Sequence, residues 1–230
     1  MVAVVARLAA SRALLGRSRQ LARGLRRKPL LPLLIVALIV FTAIFAPLLT
    51  PYSSTKPSLD DRLKPPAWTA KGSWDHPLGT DALGRDVATR LMYGGRVSLL
   101  VGVITVFIGG GIGAAIGLVS GYYGGRVDAV LMRVADATLA FPIILFGILL
   151  VVTVGGNLYN IVIAIALVLW ARYARVIRGS VLALKGQDFI AKARTVGCST
   201  PRIILVHIFP NTVNTLLVLY TLQVGWVIIV

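Results

Sequence analysis

The sequence predicts an all-α polytopic membrane protein with five transmembrane helices, and three observations carry that prediction. Apolar residues make up 57 % of the 230 residues, and the mean hydropathy of +0.85 is far above that of a soluble domain. Apolar runs of about 20 residues recur along the chain, the length that crosses a hydrocarbon core of ~30 Å at about 1.5 Å per residue. The charge is segregated between those runs. Residues 1–29 hold seven Arg and one Lys with no acid, and residues 171–202 hold seven Lys or Arg against one Asp. Basic patches separated by apolar spans follow the positive-inside rule, so the net charge of +16 points to the lipid membrane and to no nucleic-acid partner.

Residues 1–29 read as a basic cytoplasmic tail, either an amphipathic helix on the anionic leaflet or an irregular segment. Residues 30–49 are the first span, and their 14 Leu, Ile, Val and Phe are opposed by no charge. With the tail inside, this span leads outward. Residues 50–95 then form an external loop, proline-rich in its first half, with a short helix expected over 83–93. Asp81, Arg85 and Asp86 are expected to form a salt-bridged cap that orders the start of the next span.

The second span is expected over 97–119. Gly109, Gly113, Gly117 and Gly121 recur every four residues there and make a smooth strip for close helix packing. A short inner turn over 121–128 leads to a third span over 129–154. Arg133 and Asp136, three residues apart, are expected to form a structural ion pair, and Pro142 is expected to kink the helix. Gly155-Gly156-Asn157 turns the chain to a fourth span over 158–177, whose Arg172, Arg175 and Arg178 mark the inner boundary. Pro210-Asn211 is expected to break the chain before a fifth span over 212–230.

Between the fourth and fifth spans lies a basic loop, 185–210. Asp188 can cap a short helix through Val196, with Gly197 just past its end. Ser199 or Thr200 offers a second cap, with Pro201 at the first helical position after it. Phe189, Ile190, Ala193 and Val196 share one face at helical spacing. So short a helix is marginal alone in water and requires a partner surface.

Here the chain resembles the membrane-spanning permease subunits of binding-protein-dependent ABC importers. The family's cytoplasmic loop carries Glu-Ala-Ala, then a Gly, and ends in Pro-Asn. Aligned on Gly197, this chain reads Ala191-Lys192-Ala193, so the Glu and first Ala are replaced, while Ala193, Arg194, Gly197, Pro210 and Asn211 match. A second match, His76-Pro77-Leu78-Gly79-Thr80-Asp81-Ala82-Leu83-Gly84-Arg85-Asp86, looks like the peptide and nickel branch. The resemblance implies a permease core over 96–230 with a coupling helix in the 185–210 loop. Asp188, Phe189, Ile190, Lys192, Ala193, Arg194, Gly197, Pro210 and Asn211 would then couple the chain to an ATPase, with Lys185, Lys192 and Arg194 meeting its acidic surface. It further implies a second homologous permease subunit, two ATP-binding cassette subunits and an extracytoplasmic substrate-binding protein. ATP and Mg would bind those partner subunits and no cofactor this chain. The setting implied is a bacterial or archaeal cytoplasmic membrane, and the cargo a dipeptide or oligopeptide, or alternatively nickel. The family usually has a sixth helix, so the sequence is expected to be truncated or a fragment.

The chemistry-bearing residues agree with a conduit. No Gly-x-x-x-x-Gly-Lys-[Ser/Thr] loop occurs for ATP phosphates. All eight acids are Asp, which excludes His-Glu-x-x-His zinc chemistry, and His76 and His207 lie far apart, so neither a metal site nor a Ser-His dyad is expected. The single Cys198 has no internal disulfide partner. An ion-coupled carrier, the alternative, would want ionisable groups at mid-membrane, and residues 30–49, 158–169 and 212–230 contain none.

Overall fold

The computed structural model describes residues 30–229. The tail expected over 1–29, and Val230 at the end of the fifth expected span, lie outside the described residues. Among the described residues regular structure is helical, apart from one isolated bridge between Thr80 and Asp86. Four helices among the described residues are long and apolar enough to cross a membrane, or five when a bent pair is counted as one span. The protein is an all-α polytopic membrane protein, and its described residues divide into two compact units, on either side of the boundary between Arg96 and Val97.

In the first unit, α1 (Leu30–Leu49) keeps most of its Leu, Ile and Phe side chains exposed and buries only Ala43 and Ala46. Apolar exposure all round a helix suits lipid. The segment after it is tied into a knot by hydrogen bonds. The Lys64 amide donates to Thr80 Oγ1 at 2.8 Å, the Thr80 amide to the Lys64 carbonyl at 3.0 Å, and the Leu63 amide to the Asp81 carbonyl at 3.2 Å. Asp81 Oδ1 accepts from the Leu83 and Arg85 amides at 2.8 and 3.0 Å, while its Oδ2 pairs with the guanidinium groups of Arg85 and Arg90. Partial desolvation pushes the Asp81 carboxyl up, yet these amide and guanidinium bonds outweigh it and hold it well below the usual carboxylate range.

Asp86 then caps α2 (Val87–Tyr123). Its Oδ2 accepts from the Thr89 amide and hydroxyl, each at 2.7 Å, which satisfies a helix-start donor that would otherwise be orphaned. Its Oδ1 meets Nδ1 of buried His76 at 3.1 Å. Asp81 therefore carries the arginine pairs, and Asp86 carries the cap. The separate helix expected over 83–93 does not exist, because α2 runs through Gly94-Gly95 without interruption. Two glycines cost about 1 kcal/mol each in a helix, too little to break a long apolar one.

In the second unit, α2 ends against Gly124, at φ 69°, and α3 (Gly125–Ala140) starts at once, so the inner turn expected over 121–128 is a single residue. The third span is broken where a kink was expected. Pro142 lacks the amide that would continue the helix and drives Phe141 into extended backbone at φ −81°, ψ 130°. The next helix, α4 (Ile143–Val154), leaves at 86°. Asn157 caps α5 (Leu158–Lys185) through a 2.9 Å bond from the Asn160 amide. This helix runs eight residues past the expected Ile177 and is the centre of the unit, burying Ala166, Leu169, Tyr173, Ala174, Ile177 and Val181.

After the short helix α6 (Asp188–Thr195), one continuous helix, α7 (Thr200–Ile229), contains the expected Pro210-Asn211 break without breaking. Residues Ile203–Ile208 widen into a π-turn, in which the Phe209 amide reaches back five residues to the Ile204 carbonyl. That widening makes room for a proline ring one residue later, and the Asn211 amide group donates to the His207 carbonyl at 2.7 Å.

Candidate functional site: the α6 coupling surface

The loop between α5 and α7 is a built structure. Gly186 ends α5 and Gln187, rather than Asp188, takes the cap position of α6. Asp188 lies in the first turn, where its charge complements the positive end of the helix dipole. The far end closes as a Schellman motif: the Gly197 amide bonds the Arg194 carbonyl and the Cys198 amide the Ala193 carbonyl, each at 3.0 Å. Gly197 sits at φ 79°, and a Cβ there would meet nothing within 4 Å, so its requirement is conformational. Ser199 and Pro201 then start α7, and the Ile203 amide bonds the Ser199 carbonyl at 3.0 Å.

The apolar stripe of α6 is split between two surfaces. Ile190 is fully buried and Ala193 nearly so, both in the same cluster as Ile177, Val181, Ile203 and Ile208. Burying one such Ile contributes about 1.5–3 kcal/mol, which offsets the marginal stability of an eight-residue helix. Phe189, at 40 % exposure, and Val196, at 78 %, face away from the chain together with Asp188 and Lys192. The expected single docking face is therefore half anchor and half free surface.

Two of the expected outward cations are engaged within the chain. Lys185 Nζ donates to the Tyr122 carbonyl near the end of α2, a carbonyl with no partner in its own helix. Lys185 and the exposed Arg194 also lie 5.6 and 5.5 Å from the Tyr122 ring. Of the three, Lys192 is exposed with no ring or ion-pair contact among the described residues, and Arg194 is exposed beside the Tyr122 ring. Tyr122 was not legible as part of this loop; its only signal is its position one residue beyond the glycine strip.

That strip fixes where Tyr122 sits. Cβ atoms added at Gly113, Gly117 and Gly121 would lie 2.3 Å from the Trp170 carbonyl oxygen, 2.6 Å from the Ala174 carbonyl oxygen and 2.7 Å from Val181 Cβ. At Gly109 the distance is 3.1 Å to the Ala166 carbonyl oxygen. All four glycines thus seat α2 on α5. The ion pair expected between Arg133 and Asp136 is not formed. Asp136 pairs with Arg175 of α5, because α3 packs along α5 and brings that guanidinium closer than the neighbour on its own helix. A second cross-link joins the same helices, with Arg178 Nε and Nη2 on Asp128 Oδ1 and Oδ2, both at 2.5 Å, and Ser120 Oγ on Oδ1. Pro210 and Asn211 are exposed on α7 beyond the π-turn.

Residues 113–229, spanning α3 to α7 and the loop between α5 and α7, match the family described as the binding-protein-dependent transport system inner membrane component. The chain belongs to that family. Residues 23–66 match the N-terminal TM domain of oligopeptide transport permease C. The chain is 46 % identical over 186 residues to the dipeptide transport system permease protein DppC of Escherichia coli (strain K12), covering 81 % of this chain and 62 % of that protein. It is 40 % identical over 192 residues to the oligopeptide transport system permease protein OppC of Bacillus subtilis (strain 168), covering 84 % and 61 %. Against the glutathione transport system permease protein GsiD of Shigella flexneri serotype 5b (strain 8401) it is 42 % identical over 196 residues, covering 85 % and 63 %. The matched region spans about three fifths of the length of these relatives.

Proposed function

We propose that the chain is the membrane-spanning subunit of an ABC importer that moves dipeptides or oligopeptides across the cytoplasmic membrane. The observation that carries this reading is the division of α6, which is anchored by Ile190 and Ala193 and presents Phe189, Lys192 and Val196 outward from a rigid seat. A helix so placed can receive a push from another chain and pass it on. In this reading the tail and the α6 loop are cytoplasmic and the 50–86 knot is external. Two ATP-binding cassette subunits, carrying ATP and Mg, grip α6, a second homologous permease completes the path, and an external binding protein delivers cargo. The family match and the dipeptide, oligopeptide and glutathione names of the relatives support those partners and that cargo.

The mechanism follows from the seat. Closure of the ATPases on nucleotide displaces α6. Because Ile190 and Ala193 interlock with Ile203, Ile208 and Ile177, the displacement enters α5 and α7 together. The spans then rock between two packed arrangements whose equilibrium is biased by the ligand of another subunit. ATP-dependent uptake of a labelled dipeptide by the full-length protein with its partners tests this, in wild type and in Gly197→Val. A β-branched residue at φ 79° costs on the order of 1–3 kcal/mol and loosens the end of α6. Uptake should be lost while membrane insertion persists, and Gly197→Asn, whose residue tolerates this backbone, should retain uptake. Wild-type uptake by Gly197→Val refutes the assignment of α6.

A further inference from the structure

Three arginines project from α5 at helical spacing, and two of them have carboxylate partners on α3: Arg178 with Asp128 and Arg175 with Asp136. Arg172 has no such partner among the described residues. Its one hydrogen bond reaches Gln223 Oε1 at 3.5 Å, the outer limit of such a bond, and its guanidinium lies 5.5 Å from the Trp226 ring. A guanidinium carries five N–H donors, so most of its capacity is unspent. The residue lies near the middle of 28-residue α5. It is the first charge met along this apolar span, toward its inner end, and a charge within a span is costly to insert and by default marks a functional position.

A cavity of about 150 Å³ opens beside it, lined by Leu139, Phe141, Val168, Leu169, Arg172 and Trp226. Phe141 is the residue at which α3 gives way to α4 through the 86° break. Irregular backbone within a membrane span is tolerated only where it is buried in protein or lines a water-filled space, and the break at Phe141 borders this cavity. The volume is below the roughly 300–1,000 Å³ of pockets that enclose a whole ligand, and it suits one polar terminus. The planar fork of Arg matches a carboxylate through two parallel bonds, and an apolar surround of Leu139, Val168 and Leu169 strengthens that attraction.

From these observations we infer that Arg172, positioned by Trp226 and Gln223, is a station in the translocation path that holds the C-terminal carboxylate of a passing peptide. This rests on the peptide-importer reading and adds a named contact to it. One charged contact at an open site also meets the kinetic demand on any conduit, which must attract its cargo and still release it.

The test compares uptake of a neutral dipeptide and of its C-terminal amide by the full-length protein assembled with its partners. Both are supplied at concentrations that saturate the external binding protein, for wild type, R172Q and R172K. R172Q should lower the acid-to-amide uptake ratio about ten- to a hundredfold, the worth of a charged hydrogen bond, and R172K should retain most of it. An unchanged ratio in R172Q overturns the inference. So does an equal loss of both forms, which makes Arg172 the structural partner of a lipid phosphate or of a carboxylate on a neighbouring subunit. If wild type takes up neither form, the peptide-importer reading itself fails and the carboxylate assignment falls with it.

Discussion

Replacing Gly113 with alanine should separate two helices that the rest of the second unit depends on. The added Cβ would lie 2.3 Å from the Trp170 carbonyl oxygen, 2.6 Å from Tyr173 Cβ and 3.0 Å from the Ala174 amide nitrogen. None of these is the free end of a flexible side chain. Carbon atoms pack at about 3.5–4.0 Å, so α2 must retreat from α5 by roughly 1 Å or bend. Overpacking of that kind costs about 1–3 kcal/mol. Gly111 supplies the control, because it lies half a turn away on the same helix and a Cβ there meets nothing within 4 Å. Both substitutions gain the same helix propensity, about 1 kcal/mol, so the difference between them isolates packing. At about 2–4 °C per kcal/mol for a chain of this size, Gly113→Ala should melt several degrees below Gly111→Ala in detergent. Melting of Gly113→Ala at or above its control would show that the glycine strip does not hold α2 to α5.

Two further predictions concern sidedness and pH. In a Cys198→Ala background, Tyr159→Cys should react with an impermeant maleimide on intact cells, whereas Val196→Cys should react only after permeabilisation; these sites are 80 % and 78 % exposed, and the reverse pattern overturns the topology. Against partial desolvation, the Arg85 and Leu83 amides and the Arg85 guanidinium hold the folded-state pKa of Asp81 below its ordinary value. Its contribution is therefore fully present above the unfolded value of about 3.9 and is lost as pH falls toward the depressed folded one. The protection of amides over 79–87, taken relative to the intrinsic exchange rate at each pH, should fall on acidification below about pH 4, and Asp81→Asn should show the lowered protection already at neutral pH. Equal exchange in the two proteins at pH 7 removes Asp81 from its role in the knot.

What the sequence disclosed follows the range of the physics involved. Spans, the four-residue glycine period, the Gly197 terminus and the Ser199-Pro201 start are local signals, each set by a few neighbouring residues. Where a local signal competed with packing, packing prevailed. Gly94-Gly95 and Pro210 read as interruptions, yet α2 continues through the first, and α7 accommodates the second by widening at Ile203–Ile208. Pro142 did interrupt its helix, because Phe141 became extended. Partner choice between helices was not legible, although the local Asp81–Arg85 pair was. Asp136 had Arg133 three residues away and took Arg175, and Lys185 and Arg194 looked outward-facing but are tied to Tyr122. Each outcome depends on α5 lying beside both α2 and α3, a fact carried by no short stretch of sequence.

Under the proposed reading, the same fact would let so brief a helix as α6 pass on a push. Tyr122 lies next to the end of the helix that the glycine strip fastens to α5, and it is met by Lys185 at the end of α5 and by Arg194 within α6. Ile190 meanwhile joins α6 to Ile203 and Ile208. Displacing α6 without moving α2, α5 and α7 would require exposing a fully buried Ile and withdrawing Arg194 from the Tyr122 ring. Moving them together preserves both contacts, so the less costly response to a push on Phe189 and Val196 is a concerted shift of three spans.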